Sequence, residues 1–155
     1  MPLNAQVAVS IVAHETAAGD LSRAMRVTPA TYAMLFTDGT AANQAQVVWS
    51  AVRVCAGNDT IQLSSLPDTR DGAAVTVSFT AVKALYVRNT HATNLLGLST
   101  SLNNSIGVVP GGVFLVVNPS NTGATSNIGA AVNHFITATA GTTYEIVIIG
   151  EGTVT

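Results

Sequence analysis

The sequence predicts an all-β fold: a single-domain β-sandwich spanning residues 1–155, jelly-roll-like, with little or no helix. Three observations lead there. Apolar and hydroxyl residues alternate in Val75-Thr76-Val77-Ser78-Phe79-Thr80, the period of a strand with one buried and one wetter face. The apolar runs are short, and each is bracketed by Gly, Pro, Asn or Asp. No stretch sustains a helical period, which points away from an α/β architecture and toward many short strands.

Taken in chain order, the first thirteen residues carry an apolar stretch that reads as an edge strand or as an N-terminal arm reaching a neighbouring subunit. Thr31 to Phe36 reads as a strand ending in the turn-prone Asp38-Gly39. One short helix at most is allowed, around Ala41 to Gln46. Gln46 to Val54 and Thr60 to Leu66 read as strands, the second stopped by Pro67-Asp68. Beyond Thr80, alternation blurs through Ala81-Val82-Lys83-Ala84-Leu85-Tyr86-Val87-Arg88 and both faces become apolar, so the segment is two strands or one strand bent at a bulge. Val113 to Val117 follows Pro110-Gly111-Gly112, and Asn118 to Ala131 is a long polar loop. Val132 to Thr139 is closed by Ala140-Gly141, and Thr143 to Ile149 repeats the two-faced apolar pattern. The segments around residues 81–88 and 143–149 are expected to be central strands covered on both faces. There is no internal repeat and no break in composition to mark a second domain.

Composition narrows the function. Of 155 residues, 48% are apolar but only 9% are charged, against roughly 25% in an ordinary soluble domain. Thr, Ser, Asn and Gly replace charge at the surface, which suits extended contact between subunits. The net charge of -2 and six scattered basic residues (Arg23, Arg26, Arg53, Arg70, Lys83, Arg88) provide no field for nucleic acid. No apolar run approaches the ~18 residues of a membrane helix, and the amino terminus lacks a positive leader, so synthesis in the cytoplasm is expected. Cys55 is the single cysteine, flanked by Val54 and Ala56, and reads as core filler.

The search for chemistry yields no catalytic, cofactor-binding or metal site. His14, His91 and His134 lack the spacing by which two imidazoles share a metal. His14-Glu15 are adjacent and would point to opposite faces of a strand; they read as a solvated turn. Asp38, Asp68 and Asp71 sit beside Gly or Pro as turn formers, and Asp59 starts a strand. Glu145 interrupts an apolar strand and is expected to face solvent or an arginine, with Arg88 as the candidate partner. Gly111-Gly112 is a turn and not a phosphate cradle, and Ser99 in Gly97-Leu98-Ser99-Thr100 lacks the second glycine of a nucleophile elbow. Trp49, Tyr32, Tyr86 and Tyr144 read as core or interface anchors. The expectation is a protein that is not an enzyme and takes no small-molecule substrate.

Three stretches resemble a pattern found in small structural proteins encoded in the head regions of tailed-phage genomes. They are Thr37-Asp38-Gly39-Thr40-Ala41-Ala42-Asn43-Gln44-Ala45, then Phe79-Thr80-Ala81-Val82-Lys83-Ala84-Leu85-Tyr86-Val87, then Pro110-Gly111-Gly112 with Tyr144-Glu145-Ile146-Val147-Ile148-Ile149-Gly150. They occur in that order between residues 37 and 150. The resemblance is to capsid decoration, or cement, proteins. It implies a homotrimer that binds the outside of the major capsid protein shell and stabilises it, in the virion and assembled in the host cytoplasm. A phage tail or baseplate protein contacting the host surface is the alternative, and a glycan hydrolase or a bacterial surface module ranks lower.

Overall fold

The computed structural model describes residues 2–12, 14–16, 24–26, 30–68, 74–101, 104–121 and 134–155. In chain order the strands are β1 (Asn4–Ile11), β2 (His14–Thr16), β3 (Ala24–Arg26), β4 (Ala30–Asp38), β5 (Gln44–Ala45), β6 (Val47–Val54) and β7 (Asn58–Ile61). They continue with β8 (Leu66–Asp68), β9 (Val75–Asn89), β10 (Leu96–Ser101), β11 (Asn104–Val108), β12 (Val113–Val117), β13 (His134–Ala138) and β14 (Thr143–Val154). No helix occurs among the described residues.

From β6 onward the chain folds as one long hairpin doubled over on itself. β10 pairs with β11, β9 with β12, β7 with β13 and β6 with β14, each pair antiparallel and nested inside the next. Doubling this ribbon over gives two four-stranded sheets, β12-β9-β14-β6 and β11-β10-β13-β7, with β8 added to the free N-terminal half of β9. That strand order is the jelly roll, and the expected sandwich is therefore present. Its core lies between the two sheets. Trp49, Leu85, Val87, Tyr144, Ile146 and Ile148 from the first sheet meet Ile61, Leu96, Leu98 and Ile136 from the second. Burial of each large side chain contributes about 1.5–3 kcal/mol.

A third layer lies on the far side of the first sheet. β1 and β4 form an antiparallel pair, Ala5 facing Phe36 and Val7 facing Met34, with β5 parallel to β4. Phe36 and Met34, with Leu3, Ala5 and Val7, pack on Ala84, Val117, Val147, Ile149 and Val48. The first sheet is thus the middle layer, which explains why β9 and β14 are apolar on both faces. Both are central strands, as their sequence predicts. The N-terminal segment is an edge strand of the third layer.

The blurred alternation of β9 has a geometric origin. Its core-facing residues are Val77, Phe79, Val82, Leu85 and Val87, so two of the steps are three residues long where a regular strand takes two. The register against β14 slips at the same two places, leaving Thr80 and Lys83 as extra residues. β9 is one strand with two bulges, the second of the two forms predicted. On the partner strand the bulges demand glycine. A Cβ built on Gly150 would lie 2.0 Å from the Ala81 carbonyl oxygen, and one on Gly152 would lie 2.0 Å from that of Ser78.

Several expectations are corrected. Residues 41–46 do not form a helix. Asn43 adopts a positive φ of 61°, the Gln44 N–H donates to the Ala41 carbonyl, and the chain passes directly into β5. The single strand expected from Thr60 to Leu66 breaks in two, because the Ser65 N–H closes a turn on the Gln62 carbonyl. Asp68 is not in a turn but in β8, opposite Val75 and buried. Pro67 is tolerated there because, among the described residues, β8 pairs with β9 alone. His14 and Glu15 lie in β2, paired with β3, and not in a turn. The hairpin of β10 and β11 was not anticipated. The Asp71 turn, most of the Asn118–Ala131 loop and the start of the 132–139 strand lie outside the described residues, while Val113–Val117 matches β12.

Candidate functional site

Among the described residues, four places concentrate polar groups or uncovered apolar surface. The first is the second bulge of β9. Lys83 is fully buried there, its Nζ donating to the carbonyl oxygens of Ala41 at 2.8 Å and Thr40 at 3.4 Å. Its ammonium lies 2.8 Å from Glu151 Oε1, whose side chain is 16% exposed. The contact joins the 39–43 turn of the third layer to the middle sheet. A lysine this enclosed is not free to meet a ligand.

The second cluster ties the two sandwich sheets together. Arg53 on β6 makes a two-pronged contact with Asp59 on β7, Nε to Oδ2 and Nη2 to Oδ1, both 2.9 Å. Tyr144 on β14 donates its hydroxyl to Asp59 Oδ2 at 2.5 Å. Burial, reinforced by the hydrogen bond and charge of Asp59, pushes the Tyr144 hydroxyl well above the ordinary tyrosine range. The carboxylate is occupied by a guanidinium and a phenol, so the arrangement is a clamp and not an acid–base pair.

The third cluster shapes the corner after β9. Asn89, fully buried, donates to the carbonyls of Asn94 and Val108 at 2.8 and 2.9 Å and accepts the His91 N–H at 3.0 Å. His91 Nδ1 accepts the N–H groups of Thr93 and Asn94, and Asn94 reaches Thr142 Oγ1. These groups are spent on holding a loop.

The fourth is the outward face of the middle sheet. Its register sets out three rows across β12, β9, β14 and β6: Val117-Ala84-Ile149-Val48, then Leu115-Tyr86-Val147-Ser50, then Val113-Arg88-Glu145-Val52. The first row lies beneath β1 and β4. The third is open, with Val113 54% and Val52 76% exposed, and Val54 beyond it 64% exposed. The β1–β4 layer lifts away along the same direction: on its inner face Phe36 is buried and Met34 half-buried, while Tyr32 is 42% exposed. A groove of about 590 Å³ opens between β1 and the sheet, floored by Ala84, Tyr86, Val113, Leu115, Val147 and Ile149. Arg88 and Glu145 are cross-strand neighbours whose side chains approach to 3.6 Å, the partnership predicted for Glu145.

The remaining sequence candidates fall into place around these features. Cys55 is buried, with its Sγ 3.8 Å from the Ile136 carbonyl oxygen, as core filler should be. Trp49 and Tyr144 are core anchors, and the Trp49 ring N–H donates to the Pro67 carbonyl at 2.9 Å. Tyr86 lies in the groove floor and Tyr32 at the surface. Ser99 is buried on β10. Gly111 has φ 73° and Gly112 closes a turn on Val109, as the Pro-Gly-Gly sequence implies. Asp59 does start a strand, β7. Asp38 ends β4, before Gly39 with φ 135°.

Sequence reasoning missed the roles of Lys83, Asn89 and Asp59. A lone lysine within an apolar run was the signal for the first. Nothing in the sequence places Arg53, Asp59 and Tyr144 together. Among the described residues no three His, Cys, Asp or Glu side chains gather as metal ligands. No protein-family model, curated protein or solved structure matches the chain.

Proposed function

We propose that this protein is a non-enzymatic structural protein of a bacteriophage virion, a capsid decoration protein that binds the outside of the major capsid protein shell and stabilises it, as a homotrimer. The observation that carries this reading is the half-open outward face of the middle sheet. Val113 lies open in the groove, Val52 and Val54 lie open on β6 at the other edge of the sheet, and the only charges in its three rows are Arg88 and Glu145, which approach to 3.6 Å. A groove with an uncovered apolar floor on a folded domain is a surface on which another protein can dock, and this supports the reading. The jelly roll supports the reading because viral capsid domains use it, though lectins and cupins do too. Residues of the first two stretches that resemble decoration proteins, Thr40, Ala41 and Lys83, meet with Glu151 at the joint between the third layer and the middle sheet.

A small protein held by several shell subunits at once needs little affinity at each contact, since avidity multiplies binding by about 10²–10⁴. An interface of ordinary size, about 800 Å² per partner, suffices. The experiment is a solution mass determination followed by co-sedimentation with phage heads stripped of accessory proteins. The expected result is a trimer that saturates heads at hundreds of copies. A protein that ignores heads but binds cells or glycans is a tail or baseplate component, and the decoration reading then fails.

A further inference from the structure

Five consecutive residues of β1, Gln6 to Ser10, line the groove. In a strand, neighbouring side chains point to opposite faces, so a run of both parities lines a cavity only where the strand turns its edge toward it. Among the described residues β1 pairs with β4 alone, and its other edge is open. Alternate N–H and C=O groups on that edge therefore face the groove without a strand to meet them. Beneath the edge lies the apolar floor of Tyr86, Val113, Leu115 and Val147 with Ala84 and Ile149.

The edge is also undefended. Folded proteins blunt such edges with lysine, proline or a bulge. β1 reads Asn-Ala-Gln-Val-Ala-Val-Ser-Ile, without charge or proline, and its register against β4 runs unbroken from Asn4 to Ile11. The two edges of the middle sheet differ: β6 carries Arg53 in its clamp with Asp59, and β12 lies between Pro110 and Pro119.

We propose that this groove is a strand-acceptor site: it binds an extended, uncharged peptide segment from another polypeptide, which adds to the free edge of β1 and sets its alternate apolar side chains on the floor below. Backbone hydrogen bonds along Gln6–Ser10 supply affinity, and the floor supplies selection for apolar residues at every second position. Five residues of strand span about 17 Å, enough for two or three side chains to reach the floor. Among the described residues the groove lining holds no charge, so a lysine or glutamate in a floor-facing position would be desolvated without a partner there. The site stands whether or not the protein decorates a capsid, because nothing in it depends on what the donor chain is.

The test uses the full chain and a synthetic, end-capped octapeptide of alternating valine and threonine. Hydrogen exchange and backbone NMR should show at least about tenfold slower exchange for amides within Gln6–Ser10, with shifts at Tyr86 and Leu115. The same peptide N-methylated at alternate amides should bind at least about tenfold more weakly, as should one carrying lysine for valine. Val113→Glu, at an exposed position that folding tolerates, should weaken the parent peptide similarly. If instead the β1 amides become protected with rising protein concentration alone, and Val113→Glu removes that protection, the donor is a second copy and the site is upheld. The proposal is overturned if the parent peptide does not bind at millimolar concentration, if the N-methylated peptide binds equally well, or if binding leaves the β1 amides unprotected.

Discussion

Removing the Lys83 side chain tests the joint between the third layer and the middle sheet. In Lys83→Met a flexible apolar chain of similar length replaces the buried ammonium. Three partners are then left: the carbonyls of Thr40 and Ala41, and a Glu151 carboxylate that is 16% exposed. Breaking a buried pair by removing one partner costs about 3–5 kcal/mol, most of it from the charge left behind. For a chain of this length each kcal/mol moves the melting temperature by about 2–4 °C, so a fall of about 6–20 °C is expected. The assay is urea unfolding of the wild type, Lys83→Met, Glu151→Leu and the double variant, followed by the emission of Trp49, which is buried in the core. The double variant removes both charges and should recover most of the loss, because a dry apolar contact has no ion to desolvate. A loss below about 1 kcal/mol in Lys83→Met, or a double variant no more stable than the single one, would refute the claim that the stranded carboxylate drives the effect.

Four further outcomes follow from the same structure. Gly150→Ala should cost about 3 kcal/mol or more by thermal unfolding, since its Cβ meets the Ala81 carbonyl oxygen, whereas Gly57→Ala, with open space and a φ of 118°, should cost only its backbone strain of about 1–3 kcal/mol. Tyr144 should keep its proton in the folded protein above pH 10, where the unfolded chain ionises; stability should be level below about pH 10 and fall above it, and Tyr144→Phe should flatten that fall. Disruption of the exposed Arg88–Glu145 contact by Glu145→Gln should change stability by less than about 1 kcal/mol in chemical denaturation. Cys55 should react with a thiol reagent only at the rate of unfolding, because its side chain is enclosed beside Ile136.

The sequence carries the class of the fold through local periodicity, which is why Val75–Thr80, Val113–Val117 and Thr143–Ile149 read correctly as strands. The two-faced apolar character of β9 and β14 even announced that their sheet would be covered on both sides. What failed were features decided by distant partners. The 41–46 segment has the composition of a helix start, but its backbone is drawn into a turn whose carbonyls are met by Lys83, some forty residues away. Leu96-Gly97-Leu98-Ser99 does alternate, yet its glycine and hydroxyl masked a strand whose worth lies in Leu96 and Leu98 reaching the core. The Arg53–Asp59–Tyr144 clamp forms only once β6, β7 and β14 are in register, so no spacing along the chain could have shown it. The same holds for the groove, which exists because β1 and the middle sheet diverge.

The nested hairpin also sets the order in which this chain can fold. Its innermost pair, β10 with β11, closes a short loop, while its outermost, β6 with β14, joins residues about ninety to a hundred positions apart in sequence. Loop closure grows costlier with each step outward, so assembly should zip from the β10–β11 tip toward the ends, on the milliseconds-to-seconds timescale of proteins dominated by distant contacts. Yet β14 does not end at a rim. It lies between β9 and β6, supplying Tyr144, Ile146 and Ile148 to one core and Val147 and Ile149 to the other. Of the described strands, β14 is therefore the last the ribosome delivers, and until it arrives β9 and β6 lack the neighbour that lies between them and both cores are incomplete.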